Sequence, residues 1–145
     1  MILLGIDPGV RGAIALFDTS SRAVSVIDMP DTTIALNDAI RDLPPVFLCI
    51  LEKPYYPRTI GVQNVAKIAT AYGKIIGALT WRGIPVLEVT PASWKAALNL
   101  SSSKAASREK ASQLLPDSAD QWARVKDDGR AEAALLAWYG QGKVK

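Results

Sequence analysis

The feature that most constrains the fold is an uninterrupted apolar run at residues 46–51. A helical pattern over 61–81 separates it from a second β-like run at 84–89. A strand without polar alternation is typical of a parallel sheet that is covered on both faces. Two neighbouring parallel strands also need a long crossover, which a helix of this length provides. We therefore predict a strand–helix–strand unit in the middle of the chain.

Three shorter β-like segments precede this unit, at residues 2–7, 13–17 and 23–27, with turn-forming residues between them. Links this short permit only antiparallel neighbours. A helix is expected over 32–42, and the segments after the last strand are helical, ending with a helix over 128–139. The predicted fold is α/β: a mixed five-stranded sheet, with three antiparallel strands and then two parallel ones, flanked by helices.

Composition restricts the function as much as the fold. With 145 residues, of which 49% are hydrophobic and 21% charged, a single domain (residues 1–145) with a sizeable core is the simplest expectation. No apolar run approaches the roughly 18 residues of a membrane span, so we expect no membrane contact. The chain has no histidine and one cysteine, Cys49. A catalytic histidine and an ordinary structural zinc site are therefore excluded.

Charge is distributed unevenly along the chain. Residues 53–110 carry nine basic side chains and two acidic ones, whereas residues 1–52 carry seven acidic and three basic ones. A basic region attracts a polyanion, and an acidic pocket attracts a divalent cation. The alternative is that these charges only solvate the surfaces of helices.

Four acidic residues are candidates for chemistry. Asp7 lies inside the first apolar strand, where an ionised carboxylate is costly unless something binds it. Glu52 follows the apolar run at 46–51, and Asp128 and Glu132 share one face of the last helix because they are four residues apart. Each also has a structural alternative: a turn for Asp7, a strand end for Glu52 and a helix cap for Asp128.

Taken together, the four acids favour a metal site. Carboxylates that converge from separate elements usually hold a hard cation such as Mg²⁺ or Mn²⁺, and three or four of them can hold two ions. Such a site hydrolyses a phosphodiester without a histidine or a covalent intermediate. We therefore predict a metal-dependent enzyme acting on phosphates, with catalytic and metal-binding residues Asp7, Glu52, Asp128 and Glu132.

Five segments also resemble, in order, the motifs of RuvC-like Holliday junction resolvases, which belong to the ribonuclease H-like superfamily. The segments are LGIDPG (4–9), LEKP (51–54), GKIIG (73–77), VTPxxWK (89–95) and KxDGRAEAxL (126–135). The last is especially similar to phage and prophage members. The resemblance implies a crossover junction endodeoxyribonuclease that takes part in DNA recombination and repair. It also implies a homodimer that cuts a four-way junction with two Mg²⁺ or Mn²⁺ ions per active site, in the cytoplasm of a bacterial or phage-infected cell.

The resemblance maps the family's carboxylates onto the same four acids, with one departure. Bacterial members usually space the last pair by three, with a second aspartate or a histidine, whereas here Asp128 and Glu132 are spaced by four. Two alternatives therefore stay open: Asp127 replaces Asp128, or it assists Asp128.

Candidate DNA contacts are basic or aromatic residues near these motifs. The family's basic helix corresponds loosely to Lys104, Arg108 and Lys110, and Tyr55 could stack on an opened base. We expect Trp94, in contrast, to be a packing residue. The full set of candidate contacts is Tyr55, Lys74, Lys95, Lys104, Arg108, Lys110 and Lys126.

Two other functions use the same features. A nuclease for flaps, branched DNA or RNA–DNA hybrids would need the same acids and differ only in substrate. A module that binds branched DNA without cutting it is disfavoured, because it would gain nothing from gathering carboxylates that repel one another.

Overall fold

The computed structural model describes residues 1–101 and 103–144, and of Lys104 only the backbone. The strands are β1 (Ile2–Asp7), β2 (Ala13–Asp18), β3 (Val24–Asp28), β4 (Leu48–Glu52) and β5 (Val86–Val89). The α-helices are α1 (Thr33–Arg41), α2 (Val62–Arg82), α3 (Pro91–Ala97), α4 (Lys104–Leu114) and α5 (Asp128–Tyr139), and short 3₁₀ turns occupy Pro116–Trp122, Val125–Asp127 and Gly140–Lys143. None of the described helices is long and apolar enough to span a membrane.

The described strands form one mixed sheet in the order β3–β2–β1–β4–β5. The pairs β1–β2 and β2–β3 are antiparallel, whereas β4 is parallel to both β1 and β5. The predicted five-stranded architecture is therefore confirmed. Ile6 pairs with Leu51, so Asp7 and Glu52 are the last residues of two adjacent parallel strands and lie at the same edge of the sheet.

Helices cover both faces of this sheet. Ile6 and Leu51 belong to the core beneath α1 and α2, whereas Leu3 and Ile50 belong to the core beneath α3, α4 and α5. Successive side chains of a strand point to opposite faces. Asp7 and Glu52, one position beyond Ile6 and Leu51, therefore project towards the α5 side.

The close contact of α5 with β1 brings the last helix to this edge. A Cβ atom on Gly5 would lie only 2.1 Å from the carbonyl oxygen of Ala133, so the helix backbone rests directly on the strand. At the other end of the contact, a Cβ atom on Gly129 would lie 2.0 Å from the carbonyl oxygen of Arg11. Gly129 therefore lets the first turn of α5 lie against the β1–β2 turn, beside Asp7, and Gly5 lets the later turns of α5 lie against β1.

Candidate active site

Asp7 ends β1 in a desolvated position. The backbone N–H of Gly9 donates a hydrogen bond to Asp7 Oδ1 (3.0 Å), so the residue does form the turn contact of the structural alternative. Burial nevertheless raises the pKa of Asp7 from 3.8 to about 6, and repulsion from Glu132 and Asp128 adds to the rise. A residue that only capped a turn would keep a low pKa, because the N–H bond favours the charged form.

Glu52 ends β4 and is perturbed in the same direction. Burial raises its pKa from 4.5 to about 7, with further repulsion from Asp7 and Glu132. Two groups oppose this rise: the Trp94 indole, whose Nε1–H donates to Glu52 Oε2 at 2.5 Å, and the Lys95 ammonium.

Glu132 lies on α5 and has two hydrogen-bond partners among the described residues. Its Oε1 accepts hydrogen bonds from Lys95 Nζ at 2.8 Å and from the buried Ser107 hydroxyl at 2.9 Å. The Lys95–Glu132 ion pair is largely shielded, with side-chain exposures of 23% and 14%. Lys95 also lies close enough to Asp7 and Glu52 to lower the pKa of both carboxyl groups.

Electrostatic interactions link four acids, which we call the acidic cluster: Asp7, Glu52, Asp128 and Glu132. Glu132 and Asp128, both on α5, raise the pKa of Asp7 on β1. Asp7 and Glu132 in turn raise the pKa of Glu52 on β4. The ends of β1 and β4 thus lie near the first turns of α5, and the four acids as a catalytic set stay a prediction.

Asp127 has a different environment. Its buried carboxylate accepts hydrogen bonds from Arg124 Nη2 at 2.8 Å and Arg124 Nε at 3.0 Å, and this guanidinium lowers the pKa of Asp127. The carboxylate pairs with the segment before α5, whereas Asp128 is one of the charges that raise the pKa of Asp7. The geometry therefore favours Asp128 over Asp127 as the member of the cluster.

The cluster fits a hard divalent cation by the chemistry of its donors, which are all carboxylate oxygens. The Lys95 ammonium already supplies one positive charge there. Within the described residues, however, no three acidic side chains stand in a ready arrangement for a metal ion. Glu132 is instead turned towards Lys95 and Ser107, so a cation that binds there would require this side chain to rearrange.

A cavity of about 270 Å³ opens beside Asp7 and Glu52. Tyr55 lies at its rim and is 74% exposed, consistent with a side chain available to a ligand. Lys67 of α2 also lines the cavity. The sequence analysis missed Lys67, although it falls in the basic region.

The other candidate DNA contacts lie on separate surfaces. Lys74 lines the groove between α1 and α2 together with Thr33, away from the α5 side. Lys126 lines a pocket beyond the β1–β2 turn, together with Arg11 and Arg124.

The basic residues of α4 form a third location. Arg108 lines a cavity together with Trp122, and Lys110 is half-buried on the same helix. Lys104 begins α4, but its side chain lies outside the described residues.

Comparison with known proteins gives a structural match and no sequence match. No protein-family model matches the chain, and no curated protein does either. Thermus thermophilus RuvC in complex with a Holliday junction substrate matches with a TM-score of 0.69 and 16% identity, covering 99% of this chain and 96% of that one. Another T. thermophilus RuvC structure gives a TM-score of 0.67 with the same identity and coverage.

The yeast mitochondrial Holliday junction resolvase Ydc2 matches with a TM-score of 0.56 and 15% identity, covering 97% of this chain and 80% of that one. At such identities the likeness establishes the fold. The chain therefore has the ribonuclease H-like fold of the RuvC-type resolvases, as the motifs predict.

Proposed function

We propose that the protein is a Mg²⁺- or Mn²⁺-dependent endonuclease that resolves four-way DNA junctions by paired phosphodiester hydrolysis. The observation that carries this proposal is the acidic cluster: carboxylates from β1, β4 and α5 gathered at one edge of the sheet, where burial and mutual repulsion raise the pKa of Asp7 and Glu52. The same fold occurs in RuvC bound to a junction substrate, which supports this substrate class.

In this proposal, Asp7, Glu52, Asp128 and Glu132 hold two divalent ions. When bound, such ions activate a water for attack on the phosphodiester and stabilise the leaving oxygen. The carboxylates must be ionised to bind a cation, so cation binding near neutral pH would release a proton mainly from Glu52, whose pKa is raised to about 7. In the absence of cations, Lys95 balances the charge of the cluster through its ion pair with Glu132. In this proposal Lys95 therefore acts within the cluster and does not contact DNA directly.

The basic and aromatic candidates supply DNA binding in this proposal. Tyr55 at the rim of the cavity presents an aromatic face on which an unpaired base can stack. The phosphate contacts come from the cations on α2, α4 and the segment before α5, and their contribution depends on salt. These residues are Lys74, Lys104, Arg108, Lys110 and Lys126.

A homodimer completes the proposal, because a four-way junction is nearly two-fold symmetric and needs two cuts on opposite strands. A two-fold dimer presents two identical active sites in matching orientation. The mass of the free protein and of its junction complex, measured by light scattering, tests this part.

The deciding experiment compares cleavage of a labelled four-way junction with cleavage of duplex, flap and RNA–DNA hybrid, in Mg²⁺, Mn²⁺ or EDTA. Paired symmetric nicks confined to the junction, and lost in EDTA, are the expected result. Equal cutting of flaps or hybrids would identify a general nuclease of this fold. Tight junction binding without cutting in either metal would favour the non-cleaving module.

A further inference from the structure

Trp94 connects the core to the acidic cluster. It lies on the short helix α3, which has Pro91 in its first turn. Thr90 caps this helix, because its side chain accepts a hydrogen bond from the N–H of Ser93. The side chain is fully buried in the core between the sheet and α5. The polar atom of this side chain, the indole Nε1–H, donates a hydrogen bond to Glu52 Oε2 at 2.5 Å.

The partner of this indole distinguishes Trp94 from Trp122, which is also buried, and from Trp138, which is partly buried. Trp122 is equally buried, but its Nε1–H donates to the neutral Ser112 hydroxyl at 3.0 Å. Trp138 Nε1 is buried without a partner among the described residues. A bond to an ionised carboxylate is shorter and stronger than a neutral one, and a ring fixed by packing gives the acceptor a fixed position.

Lys95, the next residue of α3, contacts a second carboxylate of the cluster. Its ammonium bonds Glu132 Oε1 at 2.8 Å and lies 5.3 Å from the centre of the Trp94 ring. Two consecutive residues therefore hold acids that belong to β4 and α5. The helix α3 contributes no carboxylate to the cluster itself, so its contribution is orientation and charge.

We propose that Trp94 is a positioning residue, whose indole N–H fixes one oxygen of Glu52 so that the other oxygen, Oε1, is left to bind a divalent cation. This inference rests on the proposed function, because it assigns Glu52 to cation binding. Hydrogen-bond partners of metal-binding carboxylates typically contribute about 10- to 100-fold in metal affinity or activity.

The test compares Trp94→Phe with Trp122→Phe in metal-stripped protein. Both substitutions keep an aromatic ring and remove a buried indole N–H, but only the first removes a bond to the cluster. We expect Mn²⁺ affinity, measured by electron paramagnetic resonance titration, to fall about 10- to 100-fold in Trp94→Phe and to stay near wild type in Trp122→Phe. Cleavage by Trp94→Phe should recover at high Mn²⁺, and its junction binding in EDTA should be unchanged.

Several outcomes would overturn the inference. Equal Mn²⁺ affinity in Trp94→Phe and wild type would show that the indole does not position Glu52. An equal loss in Trp122→Phe would attribute the effect to general loosening of the core. If wild type binds Mn²⁺ and cuts junctions while Trp94→Phe behaves identically, only this inference fails. If wild type neither binds Mn²⁺ nor cuts, the proposed function fails as well.

A second measurement applies if Trp94→Phe does not fold. In wild type, the ¹H–¹⁵N resonance of the Trp94 indole reports the bond to Glu52 directly. We expect this resonance to shift with saturating Mg²⁺ and to move upfield in Glu52→Gln, whose neutral amide is a weaker acceptor. A resonance that responds to neither change would contradict the proposal.

Discussion

Replacement of Asp7 by asparagine should abolish junction cleavage and, at the same time, stabilise the metal-free protein. The Asp7 carboxylate is desolvated and repelled by Glu132 and Asp128, and its pKa is raised from 3.8 to about 6. Asparagine is nearly the same size and can still accept the hydrogen bond from Gly9, but it carries no charge. The substitution therefore removes a cation ligand together with the repulsion.

The magnitude follows from the pKa of Asp7. One pKa unit corresponds to about 1.4 kcal/mol, so the ionised carboxylate disfavours the folded state by at most about 3 kcal/mol. Because the pKa is raised on folding, the stability that Asp7 contributes is greatest below about pH 4 and is lost as the pH rises through about 6. We expect Asp7→Asn to be more stable than wild type by about 1–3 kcal/mol at about pH 8, and the advantage to vanish near pH 4.

The assay is urea unfolding in EDTA at about pH 4 and pH 8, alongside junction binding and Mg²⁺-dependent cleavage. Asp127→Asn is the matched control, because the Arg124 ion pair lowers the pKa of Asp127 and its loss should reduce stability at pH 8. If Asp7→Asn were less stable than wild type at pH 8, Asp7 would have a structural role. Cleavage by the purified variant would show that Asp7 is not needed for catalysis.

Three further predictions concern packing, pH and charge. Gly5→Ala should lower the free energy of unfolding in urea by about 3 kcal/mol, since its Cβ atom would meet a backbone oxygen of α5 at 2.1 Å. Gly77→Ala, whose Cβ atom would have no neighbour within 4 Å, should raise the free energy of unfolding by about 0.5–1 kcal/mol. Similar effects of the two would refute the direct helix–strand contact. Since the pKa of Glu52 is raised to about 7, metal-free stability should fall between about pH 4 and pH 8, and this fall should be smaller in Glu52→Gln. Lys95→Met removes the ammonium that lowers the pKa of Asp7 and of Glu52, so the midpoint of the pH–cleavage profile should move to higher pH. An unchanged midpoint would contradict the charge-balancing role of Lys95.

The fold was largely predictable because its strands have local signatures. Continuous apolar residues in β4, and tight turns between β1, β2 and β3, restrict which strands can pair and in which direction. That topology also predicts that Asp7 and Glu52 end at one edge, since adjacent parallel strands finish side by side.

The sequence by itself therefore determined the sheet and the order of its elements, and it singled out the four acids as candidates. Only the tertiary structure showed that Asp127 pairs with Arg124 while Asp128 acts on Asp7, because neighbouring helical side chains point about 100° apart and the sequence does not show which of them faces the sheet edge. It also revealed that Trp94, expected only to pack, donates to Glu52, a residue 42 positions away. Local periodicity carries no information about such a contact, since it exists only after the sheet and α3 have packed together.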